Sequence, residues 1–312
     1  MAQIDEQHNP IGVHALVWVA GWSPAECDLA IDATARAGYD FIEIPLLDPQ
    51  AIDAERTRKR LAERGLAATC SLGLRFASDI SSEDPDIVQH GEELLFQALD
   101  VASSLGSEYL GGVVYSAMGK YQAQASPQAL SQVAGVLRRL ADKAHERGVT
   151  IGLEPVNRYE SNLVNTAKQA VALAELTGAD NVVVHLDAYH MNIEEGDFEQ
   201  PVLDCGARLG YVHVGESHRG YLGSGTIDFA ALFRALVRVH YSGPIAFESF
   251  SSAVVSPSFS SALAVWRNLW EDSTDLATSA RQFIAQQLSA GQHAVEREAI
   301  TLRTGAVGAR DD

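Results

Sequence analysis

Short apolar runs alternate with longer stretches of helical period along the chain. The runs are GVHALVW (12–18), DFIEIPL (40–46), AATCSLGL (67–74), EYLGGVVY (108–115), VTIGLEP (149–155), NVVVHLD (181–187), LGYVHVG (209–215) and GPIAFES (243–249). Several are continuous Val/Ile/Leu stretches rather than polar–apolar alternations, the pattern of parallel strands covered on both faces. The segments between them carry helix-end signals. SPAECDLAIDATARAG begins with Ser23 and Pro24 and closes on Gly38, and the segment from Ser126 and Pro127 to Gly148 repeats that arrangement. A side-chain acceptor ahead of the first turn, proline within it and glycine past the last turn mark a helix from both ends. DAERTRKRLAERG and NTAKQAVALAELTG also close on glycine, and Ser82 to Gly106 reads as a helix opened by the acidic turn at Asp84–Pro85. After Asp187, the stretch IEEGDFEQPVLDCGARLG has room for only a short helix.

Eight strand–helix units in strict alternation predict an α/β fold, a (β/α)₈ TIM barrel. An open doubly wound sheet would share the alternation, but eight regular units favour closure. No Gly/Ser/Pro-rich linker interrupts the chain, so residues 1–290 are expected to form one domain. From residue 291 (GQHAVEREAITLRTGAVGARDD) apolar density falls, which predicts a frayed C-terminal tail or an arm docked on a neighbouring subunit. Trp266 and Trp270 lie four apart and are expected on one helix face, packed on the barrel or at a subunit interface.

Composition changes the picture mainly through charge. The 312 residues carry 23 basic and 41 acidic side chains, a net charge of −18. A nucleic-acid partner needs a basic footprint, and an anionic membrane surface is disfavoured for the same reason. Cys27, Cys70 and Cys205 are widely spaced with no CxxC pair, so neither a disulfide framework nor a thiolate zinc site is suggested. The N-terminal MAQIDEQHNPIGVH lacks the basic start and apolar core of a signal peptide. No apolar run approaches the roughly 18 residues of a membrane helix. A cytoplasmic location is expected.

Four residues of ligand type stand at or near the ends of strands five to eight: Glu154, Asp187, His213 and Glu248. Their separations of 33, 26 and 35 residues are each about one βα unit. In a barrel such positions converge on the C-terminal mouth, where this fold builds its active sites. Singly, each has an ordinary reading, a helix N-cap for a carboxylate or a hydrogen-bonded core histidine. As a set in apolar surroundings, where unpaired charge is costly, they point to a divalent cation. Three carboxylates and an imidazole suit Mn²⁺, Mg²⁺ or Co²⁺, with zinc also open.

The local sequences around these residues, GLEPVNRYE (152–160), HLDAYHMNIEE (185–195), VHVGESHRGYLGSG (212–225) and AFESF (246–250), resemble the ketose 3-epimerases that act on D-tagatose, D-allulose and L-ribulose. SLGLRFASDISSEDP (71–85) and GGVVYSAM (111–118) are similar to that family too. The resemblance implies that Glu154 and Glu248 are metal ligands that also act as acid and base, with Asp187 and His213 as pure ligands. It implies substrate contacts from Glu160, His190 and Arg219, one Mn²⁺ as cofactor (Mg²⁺ or Co²⁺ as alternatives), a free ketose as substrate, and a homodimer or homotetramer. At His14 family members often have an aromatic residue.

Inverting the carbon beside a carbonyl requires removing a weakly acidic proton and returning it on the other face, hence two carboxylates and a Lewis acid. An aldose–ketose isomerase of hydroxypyruvate or rhamnose type would use the same chemistry between C1 and C2. A DNA-repair endonuclease on the same barrel would need more ligands and a basic surface. The segment GYLGSG (220–225) has only Arg219 beside it as a cation, so it is read as a tight turn bordering the sugar rather than a phosphate loop.

Overall fold

Each apolar run forms a strand in the computed structural model, which describes residues 9–308. The strands are β1 (Ile11–His14), β2 (Phe41–Pro45), β3 (Ala67–Ser71), β4 (Tyr109–Gly111), β5 (Thr150–Leu153), β6 (Val182–Asp187), β7 (Leu209–Val214) and β8 (Ile245–Phe247). All pair in parallel in chain order, and β1 also pairs with β8, which closes the barrel. The helices are α1 (Pro24–Arg36), α2 (Ala54–Arg64), α3 (Pro85–Leu105), α4 (Pro127–Glu146), α5 (Ala167–Thr177), α6 (Ala188–Glu194), α7 (Gln200–Cys205), α8 (Phe229–Arg238), α9 (Pro257–Ala262) and α10 (Ser273–Gly308).

The helix starts follow from their caps. Ser23 accepts the Glu26 N–H while the Glu26 carboxylate accepts the Ser23 N–H at 2.9 Å, a reciprocal capping box. Ser126 caps α4 through the Ala129 N–H at 3.1 Å. Several strands, β1 and β4 most of all, end earlier than the apolar pattern suggests. β1 stops at His14 because its Nδ1 accepts the Leu16 N–H at 3.3 Å and caps a 3₁₀ turn over Ala15–Val17. β4 stops at Gly111 because Gly112 turns with φ 105°, where a Cβ would lie 2.6 Å from the Leu72 carbonyl oxygen.

Outward strand positions and the helices make the large hydrophobic core, and a separate cluster of Phe41, Tyr109, Tyr211 and Ala246 fills the barrel's interior toward its N-terminal end. Tyr109 and Tyr211 stack at 4.3 Å between ring centroids. Glycine makes room for these rings: a Cβ at Gly152 would sit 1.8 Å from the Tyr109 hydroxyl, and one at Gly12 2.1 Å from the Phe41 ring. This aromatic floor seals the interior and leaves the C-terminal half for polar groups.

Several expectations need correction. Helix α10 runs unbroken through residue 290, so no element ends there. Leu276, Ala277, Ala280 and Ile284 are buried, Gly291 packs against the Phe233 backbone of α8, and Arg238 reaches Glu298 at 2.7 Å. The fall in apolar density after residue 290 thus lies inside α10 rather than at its end. Residues 309–312 of the expected tail, and residues 1–8 of the N-terminal stretch, lie outside the described residues. Trp266 and Trp270 share no helix, because α9 ends at Ala262 and Ala264 turns with φ 53°. Trp270 is buried and Trp266 is 70% exposed. The stretch 193–210 holds the one short α-helix expected of it, α7, and a further short helix, α6, directly follows Asp187. Among the described residues no helix is long and apolar enough to cross a membrane. The three cysteines are buried and unpaired.

Candidate active site

Strand ends deliver the four candidate ligands to one point. Asp187 closes β6 and is paired in register with His213 of β7, which pairs with Ala246 of β8. Glu154 and Glu248 each follow the last residue of their strands, β5 and β8. One donor atom from each of the four lies within 4.8 Å of the others, and all four side chains are buried. His213 Nδ1 is 3.4 Å from Glu154 Oε1 and 3.5 Å from Glu248 Oε1. That nitrogen has no hydrogen-bond partner, while Nε2 on the other side of the ring lies 2.7 Å from Glu43 Oε2. An orphaned buried imidazole nitrogen facing three carboxylates is a donor set that fits a hard or borderline divalent cation. Asp187 also has its ordinary role: Oδ1 accepts the Tyr189 N–H at 2.8 Å and caps α6.

Burial acts on the carboxylates in unequal company. It pushes Glu154 up to about 8, against the opposing pull of His213 and with help from the charges of Glu248 and Asp187. It pushes Asp187 up to about 6, with Arg219 opposing. For Glu248 burial acts in the same direction, but Arg219 and His213 outweigh it and hold the carboxyl below its ordinary value. Crowded carboxylates with too few cations are the electrostatic state that a bound divalent ion relieves.

Around this centre the loops place Arg219, His190 and Glu160. Arg219 follows β7 with φ 61°, and its guanidinium bonds Glu248, lies 3.3 Å from Asp187 Oδ2 and stacks 3.8 Å over the Tyr189 ring. His190, on α6, accepts the Asn157 N–H at Nδ1 (3.1 Å). Burial, with Arg219 and His213 nearby, holds its pKa well below the ordinary value, so the ring is neutral and the proton sits on Nε2. Nε2 lies 3.5 Å from Asp187 Oδ2 and 3.9 Å from Glu154 Oε1. Asn157 also donates from Nδ2 to Glu160 Oε1 at 2.8 Å, so one amide orients both side chains. Burial raises the Glu160 carboxyl, with Arg219 opposing.

These groups open into a cavity of about 500 Å³. Glu154, Glu160, His190, His213, Arg219 and Glu248 line its inner end, and Leu47, Phe76, Met118 and Phe259 line its outer wall. His14 is also in the wall, its ring 5.6 Å from that of Phe250. None of residues 220–225 lines the cavity; their loop is fastened by Glu216, which accepts the Gly223 N–H at 2.9 Å.

Three polar residues escaped the sequence reading. Glu43 is fully buried beneath His213, and the signal was present: a carboxylate in the middle of the apolar run FIEIP. His185 is buried with neither ring nitrogen hydrogen-bonded, its ring 4.1 Å from that of His213. It stands two residues before Asp187, on the same inward face of β6. Asn157 sits inside a quoted motif, but its link to two side chains distant in sequence from one another exists only in three dimensions.

A parallel barrel with a four-donor acidic centre at its C-terminal mouth places the chain in a broad class, and residues 31–279 match the family of xylose isomerase-like TIM barrels, to which it belongs. Within that class it is a member of the ketose 3-epimerases, carbohydrate epimerases of the isomerase class. It is 52% identical over 276 residues to the L-ribulose 3-epimerase of Methylomonas sp. (strain DH-1), covering 88% of this chain and 96% of the relative. To the ketose 3-epimerase of Arthrobacter globiformis it is 48% identical over 280 residues, 90% of this chain and 97% of that one. The crystal structure of a D-allulose 3-epimerase from Methylomonas sp. in complex with D-allulose matches with a TM-score of 0.88 at 51% identity, over 90% of this chain and 97% of that one.

Proposed function

We propose that the protein inverts C3 of free ketoses, of the D-allulose/D-fructose, D-tagatose/D-sorbose or L-ribulose/L-xylulose type, with Glu154 and Glu248 as the two proton-transferring groups. The observation that carries this is the placing of both carboxylates against His213 Nδ1, at 3.4 and 3.5 Å, at the inner end of a cavity large enough for a ketose. Glu154, Asp187, His213 and Glu248 would hold one divalent cation, Mn²⁺ by preference and Mg²⁺ or Co²⁺ as alternatives. When bound, it supplies Lewis-acid stabilisation of the negative charge that develops on the substrate during proton transfer.

The remaining steps belong to the chain's own residues. One carboxylate removes the C3 proton and the other returns a proton to the opposite face, and the roles exchange in the reverse direction. β5 and β8 are three strands apart in the ring, so their carboxylates approach a bound sugar from different sides. Their environments drive Glu154 up and Glu248 down, the separation expected of an acid and a base that work together. His190 Nε2–H, Arg219 and Glu160 orient the carbonyl end, which a face-selective transfer requires. The net charge of −18 favours a small-molecule partner over nucleic acid, and the likeness to ketose 3-epimerases supports a cytoplasmic assembly of two or four copies, which sedimentation would count.

The test is a panel of fructose, allulose, tagatose and ribulose incubated in D₂O with and without Mn²⁺. The expected result is deuterium at C3 together with the C3 epimer, dependent on the metal. An aldose product with deuterium at C1 or C2 would instead make it an aldose–ketose isomerase.

A further inference from the structure

Glu43 is a fully buried carboxylate that the proton transfer does not use. A charge in such a place is strongly penalised unless it is partnered, so its contacts say what it is for. Oε2 accepts the Tyr211 hydroxyl at 2.8 Å and lies 2.7 Å from His213 Nε2. Tyr211 in turn is 2.9 Å from Thr69 Oγ1, which ties the group to β3. Oε1 has no hydrogen bond, and His14 Nε2 stands 3.7 Å away.

The His213 ring is packed by His185 and Tyr211, with centroids at 4.1 and 5.6 Å. Packing can hold a ring in place but cannot choose which nitrogen carries the proton. A neutral imidazole has one N–H and one lone pair. A carboxylate at Nε2 keeps the proton there and leaves the Nδ1 lone pair facing Glu154 and Glu248. We propose that Glu43 is a positioning residue for the cation site: from beneath the site it selects the His213 tautomer, fixes the ring and makes Nδ1 a stronger donor, and so sets metal affinity. This rests on the reading of the four residues as cation ligands. A carboxylate on the far nitrogen of a ligating histidine is the general way such rings are oriented.

The experiment measures Mn²⁺ binding without sugar, by the electron paramagnetic resonance signal of free Mn²⁺, in the unsubstituted protein, Glu43→Gln and Tyr211→Phe. Glu43→Gln is expected to weaken binding about ten- to a hundredfold. Tyr211→Phe removes a different hydrogen bond from the same carboxylate and should stay much closer to the unsubstituted protein. Unchanged affinity in Glu43→Gln would overturn the proposal and leave the epimerase reading standing. An equal loss in Tyr211→Phe would assign the effect to packing and overturn it as well. If the unsubstituted protein binds no Mn²⁺, the cation reading falls and this inference with it. Should Glu43→Gln fail to fold, Glu43→Asp carries the same comparison, since its shorter side chain keeps the charge but cannot keep the 2.7 Å contact.

Discussion

Glu154 and Glu248 bring the same side chain to the same centre, yet only Glu248 has Arg219 against it. Removing either charge while keeping shape isolates the chemistry. Glu154→Gln and Glu248→Gln should each lower kcat by about 10²–10⁴-fold, the range for a positioned acid or base, with the circular dichroism of the fold unchanged. Near-normal turnover in either variant would contradict the two-carboxylate scheme. The raised groups also make a pH prediction. Without a cation, Glu154 at about 8 and Asp187 at about 6 hold protons that the unfolded chain would release, so they cost stability as pH rises through that window. A cation must displace those protons, so it binds better and stabilises more as pH increases. The melting-temperature gap between Mn²⁺-loaded and chelator-treated protein should therefore widen from pH 6 to pH 8, and a narrowing gap would contradict the assignment. At this scale the candidate ligands were legible because each is a charged residue at the end of an apolar run. Glu43 carried the same mark inside a run, and His185 carried it within the run that Asp187 ends. Their meaning depends on facing His213, which no spacing reports.

At the scale of elements, the legible part was the alternation itself and the helix starts. Capping is local chemistry within four residues, and Ser23–Glu26 and Ser126–Ala129 behave as their sequence says. Strand ends were less legible. The turn after His14 and the bend at Gly112 respond to contacts that apolar sequence does not encode: a side-chain cap in one case and the Leu72 carbonyl of another strand in the other. The same holds for Trp266 and Trp270, whose spacing fits a helix that Ala264 interrupts. Strand interiors carry a further prediction. The Cβ of Gly152→Ala would meet Tyr109 Oη, and Tyr211, stacked on that ring at 4.3 Å, restricts its retreat. Overpacking of this kind costs about 1–3 kcal/mol, which chemical denaturation would register as a lower midpoint at unchanged slope. A midpoint equal to that of the unsubstituted protein would show that the floor yields.

For the whole molecule, α10 is the long helix that follows the short α9 after the eighth strand. Its first half is core: Leu276, Ala277, Ala280 and Ile284 are buried, and the Tyr39 hydroxyl donates to the Ala277 carbonyl at 2.7 Å. Its second half contributes the Arg238–Glu298 pair, whose side chains are 32% and 47% exposed, and pairs of that kind are worth about 0–1 kcal/mol. A chain ended after Gly291 loses that pair and the partly buried Ala294 and Val295 but should still fold, whereas one ended after Asp272 should not. Thermal unfolding of both separates the halves, and a folded shorter chain would show that α10 is an accessory.

By itself the sequence determined the class of fold, because parallel strands buried on both faces and capped helices are written in local periodicity. It also determined which residue types arrive at the barrel's mouth, because one βα unit separates each from the next. Only the tertiary structure decided what those residues do to one another. Closure of the ring set His213 between Glu154 and Glu248 on one side and Glu43 on the other, and the folded loops brought Arg219 onto Glu248 and Asn157 onto both His190 and Glu160. Burial and Coulomb interaction depend on distances across the barrel, and those distances exist only once all eight strands have closed.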